Sequence, residues 1–181
     1  PIVCDPVMVS TSGTPLMSED CRLFVANNLF PLCTLITPNI PEAKYLAAIS
    51  TKESSRASSY EAGGGVNEQE AERIGIELAA CYNTSLLLKG GHRNDDSMRD
   101  TLYMPDGHNY SFTSKKIETR NLHGTGCTLS SAIACFLADN STLPDAVRKA
   151  KEVINIGIEN ARNMRLGGGN GPLWIPCKIK K

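Results

Sequence analysis

The sequence lacks a long hydrophobic run, a metal-binding cysteine pattern and an excess of charge of either sign. No apolar stretch is long enough to span a bilayer, and no stretch reads as a signal peptide. The seven cysteines include no Cys-x-x-Cys pair with spaced histidines, which speaks against a zinc site and against a disulfide scaffold. We therefore expect a protein of the reducing cytoplasm that does not bind a membrane.

The charge balance narrows the range of partners. Nineteen basic residues match nineteen acidic ones, so the formal net charge at pH 7 is zero. Nucleic-acid binders usually carry a net basic field, so we expect small-molecule substrates and no nucleic acid. The lysines at 178, 180 and 181 are interpreted as a solvated end. A chain of 181 residues is long enough for a single domain with a sizeable core.

Short apolar runs alternate with amphipathic stretches along the chain. This alternation predicts a single α/β domain over 1–181, with a mainly parallel central sheet flanked by helices. The runs interpreted as buried strands are 1–5, 34–37 and 86–88, the last leading into a glycine turn, followed by a hairpin of 101–104 and 110–113.

Helix starts are marked by capping residues. Predicted helices cover 19–29, a stretch opened by Pro41, 67–82 and 144–165, with caps at Ser18, Asn67 and Thr142. In the first helix we expect Leu23, Phe24 and Leu29 to point inward. Residues 50–66 are polar, rich in serine and glycine and without periodicity, so they are interpreted as a flexible loop.

The most informative segment is Asn121-Leu-His-Gly-Thr-Gly-Cys127, which is followed by an apolar run at helical spacing. Glycines allow a sharp turn, and the first turn of a helix leaves amide N–H groups unpaired. Such a helix start favours bound anions and the thiolate form of a nearby cysteine. The segment therefore predicts an anion cradle with Cys127 as a candidate base. A tight turn with a packed thiol is the alternative.

Other polar side chains follow the predicted strands. Asp5 ends the first strand, Asn39 and Glu42 follow the second, and Lys89 follows the third. In open parallel sheets, ligands collect beyond the carboxyl ends of the strands, so we expect these groups and the glycine segment to share one rim. Taken singly, Asn39 also suits a turn, Glu42 the first turn of a helix, and Asp5 the cap of a strand end.

Five motifs occur in the same order as in the hydroxymethylpyrimidine and hydroxymethylpyrimidine-phosphate kinases of thiamin biosynthesis, and the chain resembles this ribokinase-like family. Most other ribokinase relatives place an aspartate where this chain has Cys127. The motifs are Asp5-Pro-Val-Met8, Thr37-Pro-Asn-Ile-Pro-Glu42, Leu88-Lys-Gly-Gly-His92, His123-Gly-Thr-Gly-Cys127 and Gly167-Gly-Gly-Asn-Gly-Pro172.

The resemblance implies ATP-dependent phosphorylation of 4-amino-5-hydroxymethyl-2-methylpyrimidine and then of its monophosphate. It implies that Cys127 is the base and that a Mg²⁺ ion, held mainly through water, accompanies ATP. The residues implied to contact phosphate are Gly124, Thr125, Gly126, Lys89 and His123. Those implied to organise the metal are Asp5, Asn39 and Glu42, and Val7 is implied to line the pyrimidine pocket.

The chain departs from the family pattern at its beginning. The glycine-containing first strand and the pyrimidine-reading glutamine of the family do not appear, so we expect the fold to be truncated on its N-terminal side. A truncated sheet would expose an edge, from which we expect a homodimer. Two other functions stay open: a pyridoxal or pyridoxine kinase of the same fold, and an inactive fragment or binding module.

Overall fold

A computed structural model of the chain describes residues 1–9, 14–50, 66–92 and 97–175. Residues 51–65 of the predicted loop and the three C-terminal lysines lie outside the described residues. The chain divides into two compact units, Ile2–Thr113 and a second that begins at Ser114. Within the described ranges, no helix combines the length and the apolar character that a bilayer crossing requires.

A five-stranded sheet organises the first unit. Its strands lie side by side in chain order, and β1 pairs with β2, and β2 with β3, in parallel. Strand β3 then pairs with β4 in antiparallel fashion, and β5 lies beside β4 as the predicted hairpin requires. The strands are β1 (Val3–Cys4), β2 (Leu35–Ile36), β3 (Ser85–His92), β4 (Ser97–Tyr103) and β5 (Asn109–Lys115).

Three helices accompany this sheet: α1 (Glu19–Phe24), α2 (Ile40–Ser50) and α3 (Glu68–Tyr82). The predicted caps are present, because the side chain of Ser18 accepts from the Cys21 amide and that of Asn67 from the Glu70 amide. The core of the unit contains apolar residues of β2, β3, α2 and α3, among them Ile36, Leu46, Leu78 and Leu86.

The predicted inward face of the first helix is wrong for two of its three residues, whereas Leu23 is half-buried. Phe24 and Leu29 are exposed, and the buried side chains of this region are Ala26 and Phe30. For Leu29 the cause is a change of helical winding, since α1 ends at Phe24 and Val25–Leu29 forms a π-helical turn. A π turn holds more residues than an α turn, so the side chains after it leave the face that a 3.6-residue period predicts.

Strand β3 is longer than predicted and runs through the glycines at 90 and 91 instead of turning there. The backbone amide of Lys89 donates to the Pro38 carbonyl (2.9 Å), and the amide of Gly90 donates to Asp100 Oδ1 (3.0 Å). The register with β4 shifts between Lys89 and His92, so the pairing is irregular there. The glycines therefore lie in an irregular part of a strand.

The second unit contains two helices that pack against each other, α4 (Thr125–Ala138) and α5 (Leu143–Ala161). Thr142 caps α5 by accepting from the Asp145 amide, as predicted. Helix α5 ends four residues before the predicted 165, because the side-chain amide of Asn121 donates to the carbonyls of Ala161 (2.6 Å) and Met164 (2.8 Å). The buried side chains of these two helices include Leu129, Ile133, Val147, Ala150 and Ile154.

Candidate active site

In the first unit, the predicted strand-end residues do come together. Asp5 follows β1, and its Oδ1 accepts hydrogen bonds from Lys89 Nζ (2.7 Å) and from Thr37 Oγ1 (3.0 Å). The Lys89 and Asp5 side chains are 20% and 11% exposed, so this ion pair is largely shielded from solvent. Parallel pairing of β1, β2 and β3 aligns their carboxyl ends, which is why residues 5, 37 and 89 meet.

Asn39 and Glu42 build the start of α2. Glu42 Oε2 accepts from the Asn39 amide and Asn39 Oδ1 accepts from the Glu42 amide, both at 2.8 Å. This reciprocal pair satisfies two amides that would otherwise lack partners at a helix start. The extended chain before it continues the sheet, since Asn39 bridges to Lys89 in parallel. The motif therefore lies beside the Asp5–Lys89 pair.

Glu42 is a buried residue, with 3% of its surface exposed. Its pKa is raised, first by the desolvation that burial causes and also by the nearby negative charge of Asp5. Bonds from the amides of Asn39 and Met8, together with the positive charge of Lys89, act in the opposite direction. Glu42 thus links the start of α2 to the loop that follows β1.

These oxygen donors fit a magnesium ion of the kind that phosphoryl-transfer enzymes use. No group of three or more His, Cys, Asp or Glu side chains able to hold a metal occurs in the described part of the chain. Mg²⁺ sites of this type need only one or two carboxylates, because waters and substrate phosphates complete the octahedron. Asp5 and Glu42 supply two carboxylates. Glu42 is engaged by backbone amides, so we expect it to act through water.

Val7 and Lys89 both contact Asp5. Val7 is half-buried, and its amide donates to the Asp5 carbonyl (2.9 Å) in a tight turn after β1. Lys89, which is predicted to contact phosphate, forms an ion pair with Asp5. Sequence reasoning predicted that these two residues share one rim but not that they pair, because 84 residues separate them.

In the second unit, the glycine segment forms the predicted helix start. Gly124 has φ of +85°, a left-handed conformation that residues with a Cβ rarely adopt, and it precedes α4 directly. The Cys127 side chain lies in the first turn of α4 and is exposed. The interpretation of Cys127 as a packed core thiol is therefore wrong.

The backbone amides that lack hydrogen-bond partners in this segment differ slightly from the three that were predicted to contact phosphate. The Thr125 amide donates to the Leu122 carbonyl at 3.3 Å, and so closes the turn. The amides of Gly124, Gly126 and Cys127 have no hydrogen-bond partner among the residues that the structure describes. The described structure thus leaves three backbone donors without partners at the positive end of a 14-residue helix, which is the arrangement that the predicted anion cradle requires.

Asn121 and Gly171 hold this turn in place, a role that sequence reasoning missed. Asn121 is buried, and an added Cβ at Gly171 would lie 2.0 Å from Asn121 Oδ1. The His123 amide donates to the Gly171 carbonyl (3.1 Å), and the Leu173 amide donates to the His123 carbonyl (3.3 Å). The His123 side chain is exposed.

Comparison with known proteins agrees with this arrangement. Residues 1–174 match the family described as phosphomethylpyrimidine kinase. The chain is 36% identical over 172 residues to the hydroxymethylpyrimidine/phosphomethylpyrimidine kinase of Escherichia coli K12, which covers 95% of this chain and 59% of that protein. The chain thus spans 59% of the length of this curated relative.

Two solved structures show the same fold. The phosphomethylpyrimidine kinase of Clostridium difficile 630 superposes with a TM-score of 0.60 at 31% identity, over 84% of this chain and 55% of that one. The pyridoxal kinase of Staphylococcus aureus in complex with ADP superposes with a TM-score of 0.75 at 25% identity, over 94% and 56%. These neighbours confirm the predicted ribokinase-like fold, and the chain belongs to the phosphomethylpyrimidine kinase family.

Proposed function

We propose that the full-length protein uses ATP to phosphorylate the hydroxymethyl group of 4-amino-5-hydroxymethyl-2-methylpyrimidine and then the resulting monophosphate. The observation that carries this proposal is the exposed Cys127 thiol in the first turn of α4, beside the unpaired amides of Gly126 and Cys127. A relative of this chain is named for these two kinase activities. A helix start of this kind suits a reaction in which phosphate oxygens must be held while an alcohol loses its proton.

In the proposed reaction the substrate hydroxyl oxygen attacks the γ-phosphorus of ATP. A new oxygen–phosphorus bond forms, the bond between the γ-phosphorus and the β–γ bridging oxygen breaks, and ADP leaves. The hydroxyl proton passes to the sulfur of Cys127, the proposed base. The amides of Gly124 and Gly126 hold oxygens of the transferring group, with Thr125 closing the turn and His123 and Lys89 as further phosphate contacts.

Asp5, Asn39 and Glu42 are proposed to organise Mg²⁺, and Val7 to line the pyrimidine pocket. When bound, the ion neutralises charge on the phosphates. The donor set supports this assignment, because it offers two carboxylates and an amide on neighbouring strand ends. The ADP complex of the S. aureus pyridoxal kinase supports nucleotide binding in this fold.

A pyridoxal kinase is the second candidate, and the structural similarity to the S. aureus enzyme favours it. Its substrate also presents a hydroxymethyl group on a flat nitrogen heterocycle. Parallel phosphorylation assays of the full-length protein on the pyrimidine and on pyridoxal separate the two candidates. A higher kcat/KM for pyridoxal would contradict the proposed function.

A third possibility is a chain without catalytic activity. A thermal shift experiment with Mg²⁺ and a non-hydrolysable ATP analogue addresses it, because a ligand that binds only the folded state stabilises it by mass action. We expect a rise in Tm. No shift, together with no phosphorylation of either heterocycle, would favour an inert binding module.

We further propose that residues 1–181 work as one α/β kinase domain, that the protein is a homodimer and that it acts in the cytoplasm. The seven cysteines without a disulfide pattern support a reducing compartment. In the described chain, β1 lies at one edge of the sheet, which supports self-association. Light scattering measures the oligomeric state of the full-length protein directly.

A further inference from the structure

We propose that Thr37 is a positioning residue that orients the Asp5 carboxylate, so that one defined oxygen faces the cation and the phosphates. This inference rests on the proposed function, because it concerns the same strand-end site. Thr37 follows β2 directly and contacts no reacting group in the proposed scheme. It acts through Asp5, whose orientation it fixes.

Two hydrogen-bond donors contact the same carboxylate oxygen of Asp5. Thr37 Oγ1 lies 3.0 Å from Asp5 Oδ1, and Lys89 Nζ lies 2.7 Å from the same atom. The other oxygen of Asp5, Oδ2, has no hydrogen-bond partner among the described residues, and it is not among the buried polar atoms that lack a partner. Oδ2 is therefore the oxygen that the described residues leave for a ligand.

The two donors are not equivalent. The Lys89 ammonium group stands on a flexible four-carbon stem, so it neutralises charge without fixing a direction. Thr37 is β-branched and 1% exposed, and its own amide donates to the Cys4 carbonyl at 3.0 Å. Its hydroxyl is therefore held between β1 and β2, and the carboxylate that accepts from it is held too.

The burial of the hydroxyl is a second reason to assign it a role. A hydroxyl group in an apolar site costs free energy unless it is bonded, and valine fills the same volume without that cost. In the described part of the chain, the Thr37 hydroxyl has Asp5 as its partner. A hydroxyl group at position 37 therefore has a role that a valine side chain would lack, namely its hydrogen bond to the Asp5 carboxylate.

The chain offers a matched control in Thr84. It is also buried, at 2% exposure, and its Oγ1 donates to the Cys33 carbonyl at 2.6 Å. Thr84 precedes β3, whereas Thr37 follows β2, and these two strands are parallel. Removal of the Thr84 hydroxyl therefore breaks a buried bond of the same kind at the opposite end of the sheet.

The experiment compares Thr37→Val, Thr37→Ser and Thr84→Val in the full-length protein. Mn²⁺ binding in the presence of a non-hydrolysable ATP analogue is followed by EPR, and kcat and KM are measured for the pyrimidine substrate. Loss of a group that orients a metal-binding carboxylate typically costs 10–100-fold in metal affinity or activity. We expect Thr37→Val to weaken Mn²⁺ binding by about 10-fold or more.

Two further variants complete the expected pattern. Thr37→Ser keeps the hydroxyl and should restore Mn²⁺ affinity to within about threefold of wild type, since the charge-assisted bond is retained. Thr84→Val should lower Tm and leave Mn²⁺ affinity unchanged. If Thr37→Val does not fold, Thr37→Cys replaces it, because a thiol is only a weak donor.

Wild-type Mn²⁺ affinity in a folded Thr37→Val protein would overturn the inference, as would equal losses in Thr37→Val and Thr84→Val. The Mn²⁺ measurement does not depend on which alcohol is phosphorylated. If the wild-type protein phosphorylates neither heterocycle, the proposed function fails, and the metal affinities of the variants still decide the role of Thr37.

Discussion

Asn39 and Glu42 hydrogen bond to each other twice, side chain to backbone in both directions and at 2.8 Å each way. The pair begins α2, and it holds the Glu42 carboxylate in a buried position beside the Asp5–Lys89 ion pair. One short motif therefore has two consequences. It starts a helix, and it places a second carboxylate near the first.

Glu42→Gln should weaken the magnesium dependence of the reaction more than it weakens the fold. Glutamine keeps an oxygen that can accept from the Asn39 amide but removes the negative charge. We expect the Mg²⁺ concentration for half-maximal activity to rise by about 10-fold, the lower end of the effect of losing a group that supports a metal site. Because burial raises the pKa of Glu42, the neutral side chain should cost little stability.

The control for Glu42→Gln is Glu70→Gln. Glu70 occupies the equivalent position in the cap of α3, where its amide donates to Asn67 Oδ1 at 2.8 Å. This variant should leave the magnesium titration unchanged. A titration of Glu42→Gln that superimposes on wild type would remove Glu42 from the metal site.

Cys127→Ala should lower kcat by roughly 10²–10⁴, the usual effect of losing a positioned base. Nucleotide binding, measured by calorimetry with an ATP analogue, should survive because the amides that hold phosphate belong to the backbone. Cys135→Ala is the matched control, since Cys135 is an exposed thiol on the same helix. An unchanged kcat in Cys127→Ala would exclude the thiol from the chemistry.

Alkylation at pH 8 should modify the exposed thiol of Cys127 several-fold faster than the thiols of Cys4 and Cys33. Cys127 is exposed in the first turn of α4, whereas Cys33 is buried and Cys4 is half-buried. Burial raises the pKa of Cys4 to about 11 and also raises that of Cys33, so both should react slowly. Peptide mass spectrometry after timed iodoacetamide treatment gives the rates, and equal rates for Cys127 and Cys4 would contradict the prediction.

Gly171→Ala should destabilise the protein by about 1–3 kcal/mol, the range for forcing an extra methyl group into a packed site. The new Cβ would lie 2.0 Å from Asn121 Oδ1, so Asn121 must move and release the end of α5. Gly168→Ala is the control, because nothing lies within 4 Å of its added Cβ, and it should stay within about 0.5 kcal/mol of wild type. Urea unfolding measures both, and equal stability of the two variants would refute the assigned contact.

Sequence reasoning succeeded where the signal is local. Caps at Ser18, Asn67 and Thr142 follow from side chains that reach only three residues along the chain. The left-handed turn at Gly124 follows from a glycine before an apolar helix. The meeting of Asp5 and Lys89 was predicted only as a shared rim, from the rule that parallel strands align their carboxyl ends.

Sequence reasoning failed where a contact depends on a partner far along the chain or where the helical winding changes. The π turn at Val25–Leu29 gives no signal in a pattern read with one fixed period, so Leu29 was placed on the wrong face. The partner of Thr37 lies 32 residues away, directly after another strand. Asn121 and Gly171 lie 50 residues apart, and composition alone does not pair them.

The close fit of Asn121 against Gly171 also limits how related genes can be recombined. A chimera whose crossover falls between these positions takes one partner from each parent, and any parent with a larger residue at 171 brings a steric clash into the hybrid. Crossovers before residue 121 or beyond residue 171 keep the pair intact. Libraries built by shuffling relatives of this chain should therefore inherit this interval as one block.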